Sequence, residues 1–102
     1  MQSFVRERSA EIAELCRRFH VRRLDIFGSA ARGDFDPARS DLDFVVEFEP
    51  DHPLGGFEIY FWLKEALEAL FGRKVDLLSQ GAVENPYLRK SIDASRENVH
   101  TA

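Results

Sequence analysis

The run Asp41-Leu42-Asp43-Phe44-Val45-Val46 constrains this chain more than any other stretch. Its apolar residues read as a strand buried in a sheet, and strand residues two apart point to the same face. Asp41 and Asp43 therefore project together, with Leu42 and Phe44 on the opposite face. Two carboxylates this close repel one another unless something neutralises them. Charges beside a buried strand also need partners. A divalent cation meets both needs, and hard oxygen donors suit magnesium. The competing explanation is a solvated strand end bearing two acids by chance, and the apolar residues that follow weaken it.

The rest of the chain reads as a single domain over 1–102, with strands and helices in alternation. Spacing across 3–19 predicts a helix with Phe4, Ile12, Leu15, Cys16 and Phe19 on its apolar side and Ser3 as N-cap. A short strand is expected at 23–27, followed by a turn-rich stretch over 30–40. The acid-bearing strand covers 41–48, and Pro50, Pro53, Gly55 and Gly56 make a loop. A second amphipathic helix is predicted over 57–71 and ends at Gly72. A third strand follows at 74–78 and a short helix at 86–92, with no assignment for the tail from Ser95. This order implies a sheet covered by helices on one face.

Two further pieces carry chemistry. In Phe27-Gly28-Ser29 a strand runs into glycine and then into a helical turn. Glycine lets an anion approach the backbone closely, and the N–H groups at a helix start favour negative charge. Gly28 and Ser29 thus form a candidate phosphate cradle, although an isolated Gly-Ser pair is usually only a turn. It is not a Walker A loop, because no Gly-Lys-Ser/Thr follows. Arg32, just beyond, could reach a phosphate or pair with Asp34 or Asp36. In Lys74-Val75-Asp76-Leu77-Leu78, Asp76 is either a structural ion pair or a third carboxylate of a two-metal site.

Together, Gly28-Ser29, the residues 30–40 and Asp41-Leu42-Asp43 resemble the signature of the DNA polymerase β-like nucleotidyltransferase superfamily. The run from Phe27 to Asp34, followed by Ser40 to Asp43, resembles its minimal branch, which contains the antitoxins encoded beside HEPN-domain toxins. The resemblance extends through Asp76 to Asn85-Pro86-Tyr87-Leu88. The gap before Asp41 is one residue longer than usual in that branch, and the turn 35–39 is where the extra residue is placed. The resemblance implies an α+β fold, a small mixed sheet with helices packed on one face, in which Gly28 and Ser29 hold the triphosphate; Arg32 is a further candidate nucleotide-binding residue by its position. The resemblance also implies that Asp41 and Asp43 ligate two magnesium ions, and that Asp76 ligates the catalytic one and helps take a proton from the attacking hydroxyl. The implied reaction is transfer of AMP from ATP to a tyrosine of the cognate HEPN toxin, in a hetero-oligomer with it. The alternative is a non-catalytic antitoxin that masks its partner sterically.

Composition narrows the remaining possibilities. A net charge of -4 argues against a direct nucleic-acid binder. No apolar run is long enough to cross a bilayer, and a charged N-terminal stretch makes the cytoplasm the expected location. The lone Cys16 lies on an apolar stripe and reads as a buried small hydrophobe. His20, His52 and His100 lack metal-ligand spacing. Arg17, Arg18, Arg22 and Arg23 form a basic cluster, the first two explained by a helix C-terminus. Phe57 and Phe61 fall on the charged side of the second helix. Either the 50–56 loop or the C-terminal tail covers them, or they dock the partner.

Overall fold

The computed structural model describes residues 1–33, 36, 38, 41–50 and 56–102. The 35–39 turn that takes the extra residue, the Asp34 alternative for Arg32, and most of the 50–56 loop lie outside the described residues. Two helices, α1 (Ser3–Arg6) and α2 (Ser9–Arg18), lead into β1 (Val21–Phe27) and the single turn α3 (Ser29–Arg32). Then come β2 (Leu42–Phe48), α4 (Gly56–Phe71), β3 (Val75–Ser79), a 3-10 turn (Gln80–Ala82), α5 (Pro86–Ser95) and β4 (Glu97–Thr101). The sheet order is β3-β2-β1-β4; β1 runs antiparallel to both β2 and β4, and β2 runs parallel to β3.

Period-2 alternation splits the sheet residues between two faces. Leu24, Ile26, Leu42, Phe44, Val46, Val75 and Leu77 meet Ile12 and Cys16 of α2 and Leu63 and Leu67 of α4 in the main core. Burying a side chain of this size fully stabilises the fold by roughly 1.5–3 kcal/mol. Helices α2 and α4 thus share one face, but the expectation that all helices pack there is corrected by α5, which lies on the opposite face. The other face is not bare: Ile92 of α5 and Val83 pack on Val45, with Phe27 and Leu78 beside them.

Helix α4 follows its sequence closely. Ile59, Leu63 and Leu67, four apart, are fully buried, and Gly72 closes the helix at φ +63 with its N–H on the Glu68 carbonyl. At α5, the Asn85 side chain accepts from the N–H groups of Tyr87 and Leu88, and Pro86 occupies the first turn. That cap carries the helix to Ser95, past the expected end at 92.

Two further expectations are corrected, and one unassigned stretch is filled. The helix expected over 3–19 is broken at 7–8, where the Arg8 N–H bonds the Val5 carbonyl, three residues back. The short first segment is docked instead on α3, with the Gln2 N–H on the Ala30 carbonyl at 2.9 Å and the N-terminal ammonium on Ala31 at 3.1 Å. Ser3 lies inside α1 and Gln2 precedes it, so Ser3 is not the N-cap. The tail from Ser95, unassigned from sequence, supplies the fourth strand.

Both sheet edges bear on the site described next. At the β3 edge, Leu42 N–H reaches inward to the Lys74 carbonyl, while residues 75 and 77 turn their backbone groups outward. There the Val75 N–H donates to Glu68 Oε2 at 3.1 Å, and the Leu77 carbonyl accepts from the Tyr60 hydroxyl. Side chains of α4 therefore occupy an edge that would otherwise offer free pairing groups. On the β4 side, β1 carries Asp25, which is completely buried. Its carboxylate accepts from Arg96 Nε at 2.8 Å and Asn98 Nδ2 at 3.0 Å, with Arg23 Nε at 3.1 Å. Arg96 also donates to Asp93 and Gln80, so one guanidinium ties α5, the 3-10 turn and β1 together.

Candidate active site

The chemistry-bearing residues gather where β1 ends and β2 begins. Asp43 is the register partner of Phe27 on one side and of Asp76 on the other. Adjacent strands thus carry Asp43 and Asp76 side by side, on the face opposite the main core. Asp41 lies just before β2 and is exposed.

Gly28 turns the chain at φ +75 and ψ -151, a region open almost only to glycine. A Cβ built there would stand 2.7 Å from Asp43 Oδ2. The missing side chain therefore makes the space in which the Asp43 carboxylate sits against the turn. Ser29 opens α3, whose leading N–H groups have no acceptor inside the helix. The Gly28 N–H itself donates to Ser95 Oγ at 2.9 Å, which holds the turn against the end of α5.

Electrostatics show the same convergence. Burial first, then the Asp76 and Asp41 charges, push the Asp43 carboxyl up to about 6, while Arg32 pulls it down. Asp41, Asp76 and Arg32 are therefore each within electrostatic reach of Asp43. Among the described residues, no three acidic, histidine or cysteine side chains stand ready to close on one ion. Oxygens of a bound phosphate would have to complete any coordination shell. Burial and the Asp76 charge also raise the Tyr60 hydroxyl. Tyr60 and Ser95 were not foreseen from sequence; each acts through a backbone contact with a residue distant in the chain. His20 is half-buried, takes a left-handed φ of 56 before β1 and faces Glu49 at 3.8 Å.

The family model for the nucleotidyltransferase domain matches residues 10–98. The chain belongs to this nucleotidyltransferase family. A protein of Methanocaldococcus jannaschii, provisionally named a protein adenylyltransferase, is 39% identical over 93 residues, covering 82% of this chain and 90% of the relative. Protein adenylyltransferase MntA of Thermococcus cleftensis is 39% identical over 77 residues, covering 76% of this chain and 74% of the relative. Among solved structures, a minimal nucleotidyltransferase superposes with a TM-score of 0.76 at 34% identity over 95% of both chains. A toxin–antitoxin complex with AMP-PNP shares the fold, with a TM-score of 0.70 at 19% identity over 92% of this chain and 73% of the other. The chain is thus a minimal nucleotidyltransferase of the polymerase β-like fold, as its motifs imply. Among the described residues, no helix is long and apolar enough to cross a membrane.

Nearby surfaces separate structural residues from candidate docking residues. Cys16 is buried in the core, and burial pushes its thiol up to about 12. Phe57 and Phe61 are 74% and 42% exposed and stack edge to face at 4.9 Å, so neither is buried by the C-terminal tail.

Proposed function

We propose that this nucleotidyltransferase moves AMP from ATP to a tyrosine hydroxyl of a HEPN-domain toxin and thereby silences it in the cytoplasm. Its archaeal relative MntA is named a protein adenylyltransferase. A solved structure of the same fold pairs an MNT antitoxin with a tri-AMPylated HEPN toxin of Shewanella oneidensis. The observation that carries the reading is the placement of Asp43 between the side-chain-free Gly28 turn and Asp76. Phosphate oxygens and paired carboxylates need to meet at such a point for nucleotidyl transfer.

The donor set fits magnesium, because it is all hard oxygen and its charges repel without a cation. Asp41 and Asp43 would hold two ions, and Asp76 would share the catalytic one. Magnesium, when bound, neutralises these carboxylates and polarises the phosphate under attack. Gly28 lets the triphosphate approach the backbone, while the Ser29 hydroxyl and N–H donate to its oxygens. Arg32 adds a positive charge beside the phosphates. Asp76 takes the proton from the attacking tyrosine hydroxyl, pyrophosphate leaves, and the new bond joins that oxygen to the α-phosphorus of ATP. Phe57 and Phe61 offer the toxin an aromatic docking surface.

The test is to incubate the protein with magnesium, ATP labelled at the α-phosphate, and the toxin encoded beside it. Label should appear on a toxin tyrosine. The double variant Asp41→Asn, Asp43→Asn should fold and leave the toxin unlabelled. Full labelling by that variant would refute the proposed site. Neutralisation without any labelling would mean that the protein acts by steric masking.

A further inference from the structure

Asp76 sits on the outermost strand of the sheet, beside a like charge. Among the described residues, strand β3 is paired only on its β2 side, and its register sets Asp76 directly against Asp43. Like charges this close disfavour one another unless a cation or a proton lies between them. The outward-facing backbone groups immediately before and after Asp76 are both held by α4: Val75 N–H by the Glu68 carboxylate at 3.1 Å, and Leu77 C=O by the Tyr60 hydroxyl. Both contacts run from a side chain to the backbone, so neither depends on the identity of Val75 or Leu77. Glu68 and Tyr60 are eight residues apart on one helix, and that helix is anchored in the core by Ile59, Leu63 and Leu67.

We infer that Tyr60 and Glu68 are positioning residues, a two-point clamp from α4 that fixes the β3 backbone on either side of Asp76 and so sets where its carboxylate meets the metal and the acceptor hydroxyl. The inference rests on the role of Asp76 given above. Two properties distinguish the clamp from ordinary edge protection. It brackets one residue of the site, and both members come from the same helix, anchored in the core. Loss of such supporting contacts around a metal ligand lowers metal affinity or activity by about ten- to a hundredfold.

The experiment compares wild type, Tyr60→Phe, Glu68→Ala, Glu68→Gln, Asp76→Asn and the double variant Tyr60→Phe, Asp76→Asn. Two readouts are taken: the magnesium concentration at half-maximal thermal stabilisation with a non-hydrolysable ATP analogue, and the steady-state constants for AMP transfer. Tyr60→Phe keeps the ring and removes only the donor. It should raise the magnesium midpoint and lower kcat, each by about tenfold, with KM for ATP within about twofold of wild type. Glu68→Ala should do the same, whereas Glu68→Gln keeps an oxygen acceptor for Val75 and should behave as wild type. In the Asp76→Asn background Tyr60→Phe should leave the magnesium midpoint unchanged, because residues that act through one group do not add. The clamp is overturned if Tyr60→Phe matches wild type in both readouts, or if its full effect persists without the Asp76 carboxylate. Absence of transfer by wild type would count against the enzymatic reading, while the magnesium titration would still decide the clamp.

Discussion

Removing the charge of Asp43 should make the metal-free protein more stable while destroying its activity. Asn at 43 has the same shape and no charge, so it relieves the penalty that burial, Asp76 and Asp41 impose on the carboxylate. Raising a pKa from 3.8 to about 6 costs the charged form ~3 kcal/mol at 1.36 kcal/mol for each pKa unit. The group is only half-buried and keeps part of its hydration, so about 1–2 kcal/mol is the realistic gain. The sign follows from proton linkage. The folded state binds this proton more tightly than the unfolded state, so wild-type stability is full below the unfolded value and is lost as pH rises through about 6. Urea denaturation in EDTA should therefore show Asp43→Asn ahead of wild type by about 1–2 kcal/mol at pH 7.5, or roughly 5–15 °C in Tm. The lead should shrink to about one third at pH 4.5. Magnesium with ATP should reverse the order at pH 7.5 by stabilising wild type alone. An Asp43→Asn variant no more stable than wild type at pH 7.5 without metal would refute the reasoning.

Other expectations follow from single contacts. Gly28→Ala forces a side chain into a backbone region reserved for glycine and against Asp43 Oδ2; it should cost about 1–3 kcal/mol in urea melts and abolish AMP transfer by displacing that carboxylate. Asp25→Ala leaves Arg96 without its buried partner, and a loss of about 3–5 kcal/mol by chemical denaturation is expected. Cys16, with its thiol pushed up to about 12 by burial, should resist a colorimetric thiol reagent at pH 8 in native buffer and react fully in urea. Phe57→Ala should leave stability within ~0.5 kcal/mol yet weaken toxin binding at least about tenfold by calorimetry; unchanged affinity would remove it from the docking surface.

Local signals made most of the site legible. The apolar run after two acids marks a strand, and alternation along it places Asp43 on the face opposite Leu42 and Phe44, whereas Asp41 lies just before the strand. Gly28 before a helical turn is open to a plain turn as well as to an anion cradle, and only the fold shows the space it leaves for Asp43. Helix α4 was readable because Ile59, Leu63 and Leu67 repeat at four, with Gly72 after them. What escaped was non-local. Strand β4 is polar and short, and only its pairing with β1 makes it a strand. Asp25 shows only Arg23 in its own neighbourhood, since its other partners lie 71 and 73 residues away. Tyr60 looked like one more aromatic of α4, and its hydroxyl gains meaning only once Leu77 is placed under it. The break at 7–8 likewise depends on α3 offering the Ala30 and Ala31 carbonyls to the first two residues.

The Asp25 network also orders events during synthesis. Strand β1 leaves the ribosome early, carrying a carboxylate that has no companion except the half-exposed Arg23. Arg96 and Asn98 follow it by 71 and 73 residues, and Ser95, which secures the Gly28 turn, follows that turn by 67. Closing contacts across so long a stretch of chain is slow compared with forming α2 or α4. A growing chain can thus build its helical layer on β1 and β2 while the Gly28 turn stays unsecured. A product arrested before Ser95 would leave the Asp25 carboxylate without Arg96 and Asn98 and would expose a charged strand edge to proteolysis.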